Sequence, residues 1–170
     1  SVARPLQTCL ERGLLHRAVH VWISDPPTGG LLLRRYSATA AKSAGRWGPS
    51  CHGEVLCYGS TGDLSTGPYT SEVSVNAAQR LVFEQLGVEF APNDFEHWFS
   101  CTNRDGKNQE MLDIYAASHN GKLRSVRLAS SEEVEWVHFT DVFGVEGALS
   151  ERLFHIEETY RSSMFTRMKS

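Results

Sequence analysis

The stretch SEVSVNAAQRLVFEQLGVE, Ser71–Glu89, decides how this chain is read. Ala77, Arg80, Leu81, Glu84 and Gln85 recur at the three- and four-residue spacings that share one face of a helix. The pattern predicts a short amphipathic helix over about Ser74–Leu86 that ends at Gly87. The strip is odd in composition, because it sets the ionic pair Arg80 and Glu84 beside an apolar leucine and a neutral glutamine. A solvated face accounts for an i,i+4 ion pair by itself. It does not account for Leu81.

Composition limits what the rest of the chain can add. With 170 residues, 41% of them hydrophobic, the chain can bury one good core and is too short for two ordinary domains, so residues 1–170 are expected as a single domain. A net charge of -3 and a pI near 6.1 give no general attraction to polyanions, which argues against nonspecific nucleic-acid or membrane-surface binding as the main activity. The longest apolar runs, VWI and GGLLL, fall far short of a membrane span, and Ser1 opens no signal-peptide pattern. Four cysteines, Cys9, Cys51, Cys57 and Cys101, lack both C-x-x-C spacing and the density of a secreted disulfide scaffold. These features lead to the expectation of a soluble, cytoplasmic protein, and a processed organellar one would look the same.

Apolar segments alternate with turn-rich ones along the chain. Strands are expected over Ala18–Ser24, Leu31–Arg35, Phe95–Thr102, Met111–Ala117 and Val134–His138, each bounded by Gly, Pro, Asn or Asp. A second helix is expected over about Ala148–Met168: Leu149, Leu153, Ile156, Tyr160 and Met164 repeat at helical spacing, with acids early and bases late as the helix dipole favours. YGSTGDLSTGPYTS, Tyr58–Ser71, reads as a long surface loop. No internal repeat and no low-complexity segment interrupts this order. The intermixed elements predict a mixed sheet covered by helices, an α+β or α/β architecture.

Gly53, Glu72, seven residues, and then RLVFEQLGV together resemble the Nudix box, whose pattern is G, five residues, E, seven residues, R-E-U-x-E-E-x-G-U with U aliphatic. Arg80, Val82, Glu84, Gly87 and Val88 fall in register with it. Leu81 and Gln85 stand where the pattern has glutamates. Between Gly53 and Glu72 lie 18 residues in place of five, so the Tyr58–Ser71 stretch reads as an insertion of 13. LHRAVHVWI, LLLRRYSATAAKSAGRWGPSCHGEV, AAQR, NQEMLDIYAA and EEVEWVHFTDVF occur in the order seen in the Nudix branch of isopentenyl-diphosphate isomerases and their hydrolase relatives. The resemblance covers about residues 15–143 and implies the Nudix fold, a mixed sheet sandwiched between helices.

In that family, carboxylates on one helix face hold Mg²⁺ or Mn²⁺, which neutralises a diphosphate and activates water. The resemblance therefore implies Glu84, Arg80 and Glu72 as catalytic residues and Glu84, Glu72, Glu54 and Glu110 as the remaining metal ligands. Hard cations need several oxygen ligands, so losing two carboxylates weakens such a site. Each residue also has a plainer reading. Arg80 and Glu84 could be an i,i+4 pair on a solvated helix, where the resemblance implies that Arg80 orients the loop; Glu72 could cap the helix, Leu81 could be core packing, and Glu110, beside DGKN, could be a hairpin-edge carboxylate. Arg34, Arg35, Lys42 and Arg46 lie where relatives hold a substrate diphosphate, and Trp47 is placed to stack on a base or prenyl group. Arg124 and Arg127 look peripheral.

The SCHGE stretch, Ser50–Glu54, bears on the isomerase reading. With Gly53 aligned, His52 takes the place of the isomerases' cysteine and Glu54 that of their metal-binding histidine, a register that opposes isomerase chemistry. Cys51 beside His52 could be an activated thiolate or an inert buried cysteine. His16 matches an isomerase metal-ligand position, and a structural histidine is the simpler reading. Three readings follow: a metal-dependent hydrolase of a diphosphate linked to another moiety, with an altered metal site; a degenerate Nudix module that binds a nucleotide, an RNA end or a protein partner; and a prenyl-diphosphate isomerase. The implied partner is a small-molecule diphosphate or nucleotide, with no membrane and with a dimer or protein partner left open.

Overall fold

A computed structural model describes residues 4–37, 45–59, 69–119, 133–138 and 141. Strand β1, Leu15–Asp25, is the spine of the sheet. Its alternation sends Val19, Val21 and Ile23 to one side and Ala18 and Trp22 to the other, and both sets are buried. A strand buried on both faces lies between layers. β1 pairs antiparallel with β2 (Gly30–Arg35) and β4 (Cys51–Glu54), and parallel with β8 (Asn108–Ser118). β2 also carries β3 (Trp47–Gly48) and β9 (Glu133–His138), while β7 (Phe95–Asp105) closes the hairpin with β8. Among the described residues the sheet has seven strands, and it is mixed, as expected. Its strands outrun the predicted bounds, most of all at β1 and β8, and Gly106 at φ 57° lets a two-residue turn join β7 to β8.

The helix α2 spans Ser74–Leu86, the bounds predicted, and Gly87 at φ 69° stops it in the left-handed conformation. It buries Ala77, Ala78, Leu81, Val82 and Leu86 against the face of the sheet that carries Val19, Val21 and Ile23. Its first turn is tied to β8 by the Ser74 and Tyr115 hydroxyls, 2.8 Å apart. A further short helix, α1 (Leu6–Arg12), was not anticipated; it turns on Gly13 at φ 62° to feed β1. The expectation of one continuous loop over Tyr58–Ser71 is corrected at both ends. β5 (Cys57–Gly59) and β6 (Tyr69–Ser71) pair antiparallel as a small second sheet. The helix predicted over residues 148–168 lies outside the described residues, as do Lys42, Arg124 and Arg127.

On the far face of the sheet, Ala18, Trp22, Leu31, Leu33, Trp47 and Ile114 lead a second apolar cluster. Among the described residues no helix is long and apolar enough to cross a membrane.

Candidate functional site

Two polar assemblies tie α2 to β4, one at Glu54 and one at His52. In the first, the Arg80 guanidinium clamps Glu72 with its Nε and a terminal nitrogen at 3.0 and 2.9 Å. The same group donates to Glu84 at 3.0 Å and to the Glu54 carbonyl at 2.9 Å. Glu72 also accepts the Leu56 amide at 3.1 Å. Its carboxylate side chain is only 7% exposed, whereas that of Glu84 is 52% exposed. Burial pushes the Glu72 pKa up, but the Arg80 hydrogen bonds, the Leu56 amide and the Arg80 charge outweigh it and hold the carboxyl below its ordinary value. Both Glu72 oxygens are thus occupied in fastening the loop before α2 to the helix and to the end of β4.

The second assembly forms around the residue that breaks the box pattern. The Gln85 amide nitrogen donates to the His52 carbonyl at 2.7 Å, and its oxygen accepts the His52 amide at 3.3 Å. The carboxamide matches the donor and acceptor of one β4 peptide pair, which a carboxylate with no donor does not. Buried Arg34 donates to the same Gln85 oxygen. The Arg34 guanidinium lies 5.9 Å from the centre of the Tyr36 ring, and the Tyr36 hydroxyl meets the His52 Nδ1 at 3.1 Å. His20, directly opposite His52 in the β1–β4 ladder, meets its ring edge-on with centroids 6.0 Å apart. Burial lowers the His20 pKa to about 4. Burial, then His20, then Arg34 lower that of His52 to about 3, against an opposing pull from Glu110.

Leu81 explains the odd strip. It is 3% exposed and packs in the core, so the expected single exposed strip divides in two: Ala77, Leu81 and Gln85 face β4, and Arg80 and Glu84 face outward. Gly53 makes this possible. A Cβ added there would stand 2.5 Å from the Leu81 Cδ2.

Of the four carboxylates grouped from the sequence, Arg80 joins Glu72 and Glu84, and the other two lie apart from them. Glu54 pairs with Ala18 and Glu110 with His16, register positions that face away from α2, while Glu72 and Glu84 belong to its network. Glu110 accepts from Asn103 across the β7–β8 hairpin at 2.9 Å, the hairpin role weighed for it. Among the described residues no group of three or more His, Cys, Asp or Glu is placed to hold a metal ion. His16 contacts the Leu14 carbonyl at 3.2 Å, and Cys51 is fully buried in the apolar core.

Of the expected phosphate ligands, Arg34 is turned inward to Gln85 and Arg46 is exposed. Arg35 donates to the Gly45 carbonyl at 3.2 Å, pairs with Glu133 at 3.1 Å, and sits 5.9 Å from the centre of the Trp47 ring. Arg35 and Trp47 border a cavity of about 660 Å³, which Glu135, Trp136 and Asp141 also line. Sequence reasoning missed Tyr36, Glu135, Trp136 and Asp141. EEVEW was read for its strand, and nothing in its spacing ties it to Trp47 ninety residues earlier.

Residues 14–157 match the NUDIX domain. Over 120 residues the chain is 35% identical to Nudix hydrolase 3 of Arabidopsis thaliana, covering 67% of this chain and 14% of that protein. Among solved structures, the MutT protein of Methanosarcina mazei Go1 superposes with a TM-score of 0.58 at 18% identity, over 91% of this chain and 93% of its own. The NUDIX domain of Shewanella oneidensis NrtR, in complex with ADP ribose, gives 0.58 at 18% identity over 91% and 88%. The Ap4A hydrolase of C. elegans gives 0.57 at 13% over 92% and 100%. At such identities the structural likeness shows the fold.

Proposed function

Because the chain belongs to the Nudix domain family, we propose that it is a Nudix-fold module that binds a nucleotide-type diphosphate ligand without cleaving it by the family's metal-dependent reaction. The observation that carries this reading is the Gln85 carboxamide bonded to both peptide groups of His52, with Leu81 filling the space over Gly53 beside it. These two side chains stand where the box has glutamates, and both are spent on packing the helix against β4.

Family members generally use Mg²⁺ or Mn²⁺, and the residues at this helix do not fit such an ion. Hard cations take several oxygen ligands. Here Glu72 is held by Arg80 and Leu56, Leu81 offers no oxygen, and Gln85 is turned to the backbone. What these residues do is structural: Arg80 fixes the approach to α2, and Gln85 and Arg34 lock its far end to the sheet. The buried thiol of Cys51 and the position of His52 give no support to isomerase chemistry.

A hydrolase with an altered metal site is the second reading, favoured by the preserved Glu72–Arg80–Glu84 network and by the half-exposed Glu84 carboxylate. Calorimetry with Mn²⁺ and with ADP, alongside phosphate release from a panel of nucleoside diphosphate conjugates, separates the two. The binding module is expected to take up ADP equally with Mn²⁺ or EDTA present and to release no phosphate or pyrophosphate. Mn²⁺-dependent release that Glu84→Gln lowers about a hundredfold, the loss typical of removing one electrostatic stabiliser, would establish the hydrolase.

A further inference from the structure

We infer that the cleft between the outer side of α2 and residues 89–94 is a docking groove for a segment of another protein, one that presents an arginine or lysine beside an apolar side chain. The inference stands apart from the nucleotide reading, since it concerns the side of α2 turned away from the sheet.

Gln79, Arg80 and Phe83 share that side, three and four residues apart. With Glu89, Phe90 and Asp94 they line a cleft of about 700 Å³, a size ordinary for binding sites. Both walls are held in place. The Gln79 amide donates to the Phe90 carbonyl at 2.8 Å, and Asp94 accepts the Ala91 amide at 2.6 Å, closing the turn Pro92–Asp94. The Phe90 side chain is buried beneath, its ring 5.7 Å from that of Phe95. A groove formed in advance spares a partner part of the ordering cost of binding.

The mouth of the cleft is apolar and acidic. Phe83 is 54% exposed, and among the described residues its ring meets neither another ring nor a cation. Val88 and Phe90 turn into the core, so Glu89 between them turns out to solvent. Its carboxylate makes no hydrogen bond or ion pair to a described residue.

Charge selects the occupant. Of the described lining residues only Arg80 is a cation, and Glu72 and Glu84 already engage it. Glu89 and Asp94 leave an excess of carboxylate, which repels a diphosphate and attracts a basic side chain. An arginine or lysine laid over the Phe83 ring covers it with its aliphatic stem, gains from the ring face, and reaches Glu89 with its charged end. An apolar neighbour on the same segment covers the rest of the ring. Recognition of this kind, a short segment in a groove beside a helix, needs few anchors.

The test selects a phage-displayed library of random peptides against the whole chain and titrates the enriched peptides calorimetrically. They are expected to carry an arginine or lysine next to an apolar residue. Phe83→Ala and Glu89→Gln should each weaken such a peptide about tenfold, the loss expected of an anchor residue. Both side chains are exposed, and unchanged thermal unfolding confirms that the variants keep the fold. ADP in excess should leave the peptide bound. The groove is overturned if no peptide is enriched, if the enriched peptides lack a basic residue, or if both variants bind them with the parent's affinity. Displacement by ADP would give the cleft to the nucleotide instead, and self-association lost in Phe83→Ala, read by sedimentation, would give it to a second copy of the chain.

Discussion

Leu81 and Gly53 are fitted to each other: the leucine Cδ2 lies 2.5 Å from where a Cβ on residue 53 would be. Neither residue has room to change alone. Gly53→Ala forces the buried leucine out of place, a strain of about 1–3 kcal/mol. Leu81→Ala opens a cavity at a cost of about 2–5 kcal/mol. The double variant should cost less than the two together, since the alanine at 53 fills space that the leucine vacates. Urea unfolding of the four proteins gives the coupling, and strict additivity would mean the contact is not tight.

Gln85→Ala removes the partner of both His52 peptide groups and leaves the neighbouring Arg34 guanidinium one acceptor short. The expected loss is about 1–3 kcal/mol, the cost of buried groups left unsatisfied. Gln85→Glu is the sharper comparison: it keeps the acceptor for Arg34 but sets a carboxylate oxygen against the His52 carbonyl. Faster exchange of the His52 amide proton is the expected signature of Gln85→Ala in hydrogen-exchange measurements, with a smaller effect in Gln85→Glu, which still offers that amide an oxygen. Unaltered protection would show that the clasp does not hold β4.

Arg80→Lys keeps the charge and loses the planar fork that grips Glu72 through two nitrogens. A destabilisation of about 1–3 kcal/mol is expected, the cost of hydrogen bonds to a charged group left unmade while the pair itself remains. Because the folded-state pKa of Glu72 is depressed below 4.5, its contribution is complete above that value and is lost as the pH falls through the folded pKa. Arg80→Lys should therefore narrow its stability gap to the parent on acidification, read from melting temperatures at matched ionic strength.

The buried histidines act at milder pH. Between about 4 and 6.5 the unfolded chain binds a proton at His20 that the folded chain does not. Stability is then complete above the ordinary histidine value and falls as the pH drops through that window, by up to about 1.4 kcal/mol per pH unit. His52 adds loss in the same direction, down to about 3. His20→Gln should flatten the slope measured by urea unfolding over this range. An equally steep slope in the variant would place the titrating groups elsewhere.

The sequence carried the fold at α2 and at the central strands, because a period of 3.6 or 2 and a closing glycine are local signals. α1 escaped notice because seven residues with one buried side chain, Cys9, give little periodicity. β3 to β6 escaped because strands of two to four residues owe their existence to partners distant in sequence. At the site, the Glu72–Arg80–Glu84 relation was readable from spacing. The Gln85–His52–Arg34 clasp was not, since it joins residues 33 and 51 positions apart, and only the packing of α2 across β4 brings them together.

The parallel ladder between β1 and β8 ties each residue from Leu15 to Ser24 to a partner 94 positions later. On a ribosome adding about 5–20 residues per second, one flank of β1 waits roughly 5–20 s for that partner to be made. During synthesis its apolar row, Val19, Val21 and Ile23, has β2 and β4, and then α2, to lean on before β8 arrives. Long-range pairing of this kind is also slow to form once the chain is free. Newborn copies of this domain thus pass through an interval in which one edge of β1 is open to capture by a chaperone or by each other.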